Sequence, residues 1–577
     1  MQSGLQTPPE PARELDGSAA DLGRTGIAAA SRLDWFGVAT VAFFAVLTLT
    51  RAADLFLVRL LRPDEFVGDL NQHVWWTARF ADPGLFPNDI AAEFFSQPLV
   101  SPYGYQLIYR VLAPYVAPQS IAETIPIILT ACVALLAYLA GRAASGSRAG
   151  GIVGTVFLLS WGEALDVLQS GLQRSFALPI LMLGTWALMV RRHAFLGAAL
   201  LLGISLYPPV FLNVAALAIV VLGWRWWKEG HAPESWRSLA LGAGLALAVM
   251  LATRAQPWPA DLGRQVTATE ARAMPEFSPG GRLTVFFDDP IDFYVRGKLS
   301  GIDYGPWQLA GVAVLVLASV LVFPRLIRFE GWALVATSGA LFLASHLLLF
   351  ALYLPNRYVK YTVPLFLLLW LSALAVRIGR ALDRWPIGAA VYSAAWRYRA
   401  VAALIAVVGV SVYVARVTHR VMTEANAPIK LTREAAFRFL AGLPKDTLIA
   451  AHPNDADSIP LRTRRSVLAA RETALPFFLG YYDTIKQRLG DELAAYYAST
   501  FADADALHER YGATVMLIND KQFSRQSLRL FAPFNRMIRR LFEHGRQSGF
   551  ALLHPPADRV LFRNRDYCVV RLGPTPQ

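Results

Sequence analysis

Cysteine is nearly absent. Two occur in 577 residues, Cys132 inside an apolar stretch and Cys568 near the C-terminus, which excludes a disulfide framework and a cysteine-built metal cluster. Charge is scarce too: Asp, Glu, Lys and Arg supply 17% of the chain against 55% hydrophobic residues, and mean hydropathy is +0.38. That is too apolar for an ordinary soluble protein and points to a polytopic α-helical membrane protein. The N-terminus lacks the charged-then-apolar order of a cleavable signal. Residues 1–33 are polar, carry Pro8, Pro9 and Pro11, and read as a disordered cytoplasmic tail. No glycine-rich phosphate loop, zincin pattern or nucleophile elbow is found, so dinucleotide binding has no support. Neither direct nor inverted repeats are evident.

What is present is a series of apolar runs. A helix needs about 20 mostly apolar residues to cross the hydrocarbon core. Eleven stretches meet that need, at 35–56, 121–141, 150–167, 174–190, 194–211, 212–227, 238–254, 307–323, 331–353, 361–379 and 400–417. The net charge of +13 arises largely from basic residues in the short loops between them, the pattern of topology determinants rather than of a nucleic-acid surface. Arg142 and Arg148, Arg191 and Arg192, Arg225 with Lys228 and Arg237, Arg325 with Arg328, and Arg377 through Arg399 fall in alternate loops. The positive-inside rule makes these loops and the N-terminus cytoplasmic. The expectation is a transmembrane domain over 34–417 with about 11 transmembrane helices and outer loops at 62–120 and 255–306. Residues 418–577 have no span and alternate strand-like runs ("DTLIAAHP", "ATVMLIND") with helical ones ("YYDTIKQRLGDELAAYYAST", "FNRMIRRLFEHGRQ"). They are expected to form a C-terminal extracytoplasmic α/β domain.

The outer loops hold the candidate chemistry. "FVGDLNQHVWWTARFADPGLFPNDIAAEFF" (66–95) sets Asp69, His73, Arg79, Asp89 and Glu93 among tryptophans and phenylalanines. The aromatics are expected to bed an interfacial helix in lipid headgroups, with Asp69 or Asp82 either capping it or facing a substrate. Glu163 and Asp166, three apart at an outer span end, share a helix face; either Arg174 is their partner, or the helix start "LQRSFALP" holds an anion close to that arginine. "YLPNRYVKYTVP" (353–364) presents Arg357 and Lys360 three apart with Tyr358 between them, suited to a lipid phosphate. The 255–306 loop, with Asp288, Asp289, Asp292, Arg296 and Lys298, is long enough to be a lid over a site. In the C-terminal region, "HPNDADSIPLRTRR" groups His452, Asp455 and Asp457 with three arginines and reads as a capped turn before it reads as a metal site.

An early aspartate in the first outer loop, carboxylates at one outer span end, an "RY" pair at another and a C-terminal extracytoplasmic domain together resemble the GT-C class of integral-membrane glycosyltransferases. The resemblance is one of layout over most of 35–420. It implies a polyprenyl-phosphate-linked sugar as donor, transfer with inversion to a lipid or glycan acceptor in the periplasm, and a bacterial inner membrane location. Asp69 matches the position of the acidic residue that acts on the acceptor; the adjacent acidic pair usual there is displaced to Asp64-Glu65. The tryptophan-rich acidic motif of oligosaccharyltransferases is missing, which argues against peptide acceptors. The roles that follow are Asp69, Asp166 and Glu163 as catalytic residues, and His73, Arg79, Asp89, Arg174, Arg357, Tyr358 and Lys360 as substrate-binding ones. No cofactor is settled by the sequence: several carboxylates on the outer face could hold a divalent metal, which a donor carrying a single phosphate need not have. The rival readings are a transporter or lipid flippase, and a non-catalytic membrane assembly protein.

Overall fold

The computed structural model describes residues 69–161, 165, 167–168, 171–230, 236–382, 431–525 and 528–574, with positions 415, 419 and 422. The expected spans 35–56 and 400–417 lie outside the described residues, as does the expected domain boundary at 418. Each of the other nine contains a helix: Pro118–Ser145, Arg148–Ser160, Ala177–Met189, His193–Leu206, Pro208–Glu229, Trp236–Ala255, Pro306–Val322, Phe329–Leu347 and Thr362–Leu382. Four stretches are long and apolar enough to cross a membrane: Pro118–Ser145, Pro208–Glu229, Trp236–Ala255 and Asn356–Ala381. Helices Trp236–Ala255 and Pro306–Val322 bury one residue each, Ala246 and Val316. Leu241, Leu251, Val314 and Leu321 on their surfaces are exposed, an apolar face fit for lipid.

Local chemistry sets the helix ends. The turn between the expected spans 194–211 and 212–227, marked in the sequence by Pro208 and Pro209, falls at Tyr207, where an extended residue (φ −153°, ψ 89°) ends one helix. Pro208 and Pro209 start the next, because a first-turn proline gives up no intrahelical hydrogen bond. Helices His193–Leu206 and Trp236–Ala255 pack through Gly197 and Gly242. A Cβ on Gly242 would lie 2.4 Å from the Gly197 Cα, so neither position accepts a side chain.

The loops gather at two ends. At one, Arg328 donates to the carbonyls of Ala143 (3.1 Å) and Met189 (3.2 Å), and Arg225 pairs with Glu330 at 2.5 Å. At the other, loops 69–117 and 256–305 meet the C-terminal region, built on a five-stranded sheet of order β2-β1-β3-β5-β4. Its strands are β1 Leu448–Ala451, β2 Ser466–Val467, β3 Val515–Asn519, β4 Val560–Arg563 and β5 Tyr567–Arg571. β1 pairs in parallel with β2 and β3, and β5 runs antiparallel to β3 and β4. The "HPNDADSIPLRTRR" segment is a capped turn: His452 accepts from Asn454 N (3.3 Å), and Arg465 donates to the carbonyls of Ala441 and Leu443.

The aromatics of the first loop depart from expectation. Trp75, Trp76, Phe86, Phe94 and Phe95 are at most 2% exposed and form protein core rather than a lipid anchor. Phe94 stacks on Tyr481 at 4.0 Å and 8°, and Trp258 on Phe478 at 4.4 Å, so the C-terminal region covers the surface that lipid was expected to cover. Polar contacts complete the join. Arg282 donates to Arg471 O, Glu472 O and Glu472 Oε2 at 2.8, 3.0 and 2.7 Å; Lys486 and the Tyr482 hydroxyl both reach the buried Glu276. The expected lid is therefore held between the helices and the sheet.

Candidate active site

Asp69 stands at the N-cap of the short helix Leu70–His73, yet its carboxylate makes no capping hydrogen bond. It forms an ion pair with Arg174 instead, and both side chains stay about one-third exposed, at 34% and 33%. Arg174 comes from the turn Gln173–Phe176, which leads into Ala177–Met189. That turn is fixed by the Ser175 hydroxyl, donating to Val167 O at 2.8 Å, and by Gln173, donating to Val100 O at 3.0 Å. The partner expected for Arg174 was Glu163 or Asp166; both lie outside the described residues.

Arg174 also lines a cavity of about 410 Å³. The wall carries Lys298, Asp303 and Tyr304 from the long loop and Arg357, Lys360 and Tyr361 from the segment preceding Thr362–Leu382. Four cations thus share the wall with one carboxylate. Lys360 pairs with Asp303 at 3.3 Å. Among the described residues Arg357 and Lys298 have no ion-pair partner, and the Arg357 Nε and the Tyr361 hydroxyl are buried without a hydrogen bond. Unpartnered buried donors are costly, and here they adjoin a cavity with an excess of positive charge, an arrangement suited to an anion that also offers acceptors.

Electrostatics tie Asp69 to this wall. Burial pushes its carboxyl up, but the Arg174 guanidinium, with His73 when protonated and Arg357, outweighs burial and holds it below its usual value. His73, one turn on, is lowered to about 4 by burial, with Arg174, Arg357 and Arg282 adding to the effect against Asp69, so it is neutral at pH 7. Its ring meets Phe95 edge-on at 5.5 Å, and its Nδ1 is buried without a partner.

Four expected binding residues are not on the cavity wall: His73, which stands beside Asp69, and three that are held elsewhere. Arg79 donates to Leu85 O (3.0 Å) and to Phe86 O, fastening its own loop. Asp89 is buried and caps Ile90–Ser96, accepting from Ala91 N and Ala92 N at 3.0 and 3.1 Å, with burial raising its carboxyl. The Tyr358 hydroxyl donates to Leu352 O at 2.6 Å beneath the wall. Asp303 and Tyr304 escaped the sequence reading. Their one signal is the position of Asp303 just ahead of a span; the structure adds its left-handed backbone (φ 66°), a strained conformation for a non-glycine residue.

A divalent ion fits these residues poorly. Asp69 and Asp303 each already hold a cation, and among the described residues no group of three or more His, Cys, Asp or Glu is placed to ligate a metal.

No family model and no curated protein matches the chain. Solved structures do resemble it. The archaeal oligosaccharyltransferase AglB from Archaeoglobus fulgidus, in complex with an inhibitory peptide and a dolichol-phosphate, aligns with a TM-score of 0.49 and 11% identity over 86% of this chain and 71% of its own. The same organism's oligosaccharyltransferase tethered to an acceptor peptide gives 0.46 and 14% over 87% and 72%. ArnT from Cupriavidus metallidurans bound to undecaprenyl phosphate gives 0.44 and 14% over 93% and 99%. These neighbours are GT-C glycosyltransferases. At such identities the likeness is one of outline and assigns no residue a role.

Proposed function

We propose that this protein is a membrane glycosyltransferase that moves a sugar from a polyprenyl-phosphate donor to a lipid or glycan acceptor on the extracytoplasmic face of a bacterial inner membrane. The observation that carries this reading is the 410 Å³ cavity, which sets the unpaired cations Arg357 and Lys298 beside the Asp69–Arg174 pair. Arg357, Lys298 and Lys360 bind the donor phosphate. Asp69 accepts the proton of the acceptor hydroxyl as that oxygen attacks the anomeric carbon from the face opposite the leaving group, inverting it. The bond from the anomeric carbon to the phosphate oxygen breaks, and its electron pair leaves with the polyprenyl phosphate. The phosphate carries one negative charge in the donor and nearly two once released, so fixed cations favour the transition state over the ground state. In this orientation the basic loops face the cytoplasm, and the loops about Asp69 and Arg357 lie outside with the C-terminal domain.

The test is replacement of Asp69 by Asn in membranes that retain normal amounts of the protein. Turnover of the lipid-linked sugar is expected to be lost. Undiminished transfer removes Asp69 from the reaction; absence of transfer by the wild type reopens a transport or assembly role. Lipid profiling of a deletion strain, for an accumulated donor or a truncated glycan, identifies the sugar and the acceptor.

A further inference from the structure

Arg174 faces two ways. Its guanidinium holds Asp69, and the same side chain lines the cavity whose other cations are Lys298, Arg357 and Lys360. A carboxylate in contact with a guanidinium has its lone pairs engaged and is a poor base. Resting on the reading of the cavity as a donor-phosphate site, we propose that Arg174 is a donor-gated latch: it holds Asp69 in an ion pair until a donor phosphate binds, then shifts to that phosphate and frees the carboxylate to take the acceptor's proton. Base activation then follows donor binding, and Asp69 is kept from acting before a donor is in place.

Four observations support the exchange. Asp69 has no capping hydrogen bond, so Arg174 is what restrains its carboxylate. Both partners are about one-third exposed, and ion pairs of that exposure add little net stability, so parting them is cheap. A guanidinium presents five N–H donors in a planar fork and binds phosphate at least as well as carboxylate, while Arg357 and Lys298 bring the competing anion within reach. Finally, among the described residues the largest charge effects on Asp69 come from Arg174, His73 and Arg357, and His73 is uncharged above pH about 4. Of the effects that hold the Asp69 carboxyl down, Arg174 is the largest, and its departure leaves burial to push the carboxyl up toward a value useful in a base. Arg174 thus positions Asp69 in the resting protein and contacts the donor phosphate once it binds.

The experiment uses the full chain in lipid nanodiscs and undecaprenyl phosphate as probe. The rate at which a water-soluble carbodiimide modifies Asp69, read by peptide mass, follows the protonated carboxyl; its pH midpoint is measured with and without the probe. In the wild type the midpoint is expected to move to higher pH when the probe binds. In Arg174→Gln it begins higher and moves less than in the wild type, the remainder being the direct effect of the phosphate charge; Arg174→Lys restores part of the response. A wild-type midpoint that does not move, or an Arg174→Gln response as large as the wild type's, with binding verified by native mass spectrometry of the same samples, overturns the latch and leaves the phosphate site standing. No binding of the probe, or binding that Arg357→Met leaves unchanged, overturns the phosphate site and the latch with it.

Discussion

Arg282 is where the long loop is fastened to the C-terminal domain, and replacing it by Met tests whether that join is as firm as it looks. The side chains of Arg282 and Glu472 are 11% and 18% exposed, and the guanidinium also satisfies the carbonyls of Arg471 and Glu472. Breaking a buried pair from one side strands the other charge, at a cost of about 3–5 kcal/mol. The cost is compounded here because Arg282 also offsets the neighbouring Asp457, which burial and the charge of Glu472 push up to about 8. At about 1.4 kcal/mol per tenfold, the segment around 471–486 should open roughly 150- to 5000-fold more often. Hydrogen exchange in nanodiscs reads this directly, as faster exchange in peptides covering 264–283 and 471–486 with the membrane helices unchanged. The double variant Arg282→Met, Glu472→Gln should recover much of the protection, since losing both partners removes the stranded charge. Exchange within about threefold of wild type in the single variant would refute the view that this buried pair holds the loop to the domain.

Asp457 gives a pH dependence of the same region. Its folded-state value near 8 exceeds the usual 3.8, so the folded form binds more protons than the unfolded one between those values. The contribution of this group is therefore most favourable below pH about 4 and declines as pH rises to about 8. Asp457→Asn, which can still accept from Glu472 N (2.7 Å in the wild type), should slow exchange of residues 457–475 more at pH 8 than at pH 5. Loss of one charge-assisted contact to the leaving phosphate, worth about 1.5–3 kcal/mol, should lower transfer by Arg357→Met roughly 10- to 150-fold. A synthetic prenyl-phosphate sugar in detergent measures it, and a change under about threefold speaks against phosphate contact at this position.

The span series was legible because apolar runs of helix length have few other uses, and the Pro208-Pro209 pair marked a helix boundary by a property of proline alone. The alternation of strand and helix after residue 418 was legible for a similar reason, although β2, at two residues, is too short to leave a periodic trace. The aromatics of 66–95 were not legible. A tryptophan beside a carboxylate after a span looks the same whether lipid or protein covers it, and the stacking partner that decides, Tyr481, lies in a distant part of the chain. The charged residues of that loop divide by how far their partners lie. Arg79 and Asp89 are satisfied within seven and three residues, and the Asp-Ile-Ala-Ala order before an apolar helix already spelled a cap. Asp69 reaches 105 positions to Arg174, and Lys360 reaches 57 back to Asp303. The sequence singled out Asp69 by its place in the resemblance, Arg174 as a neighbour of Glu163 and Asp166, and Arg357 with Lys360 as a pair suited to phosphate, each separately. Their convergence on one cavity, and the entry of Lys298 and Asp303 from a loop that reads as a lid, are properties of the packed chain.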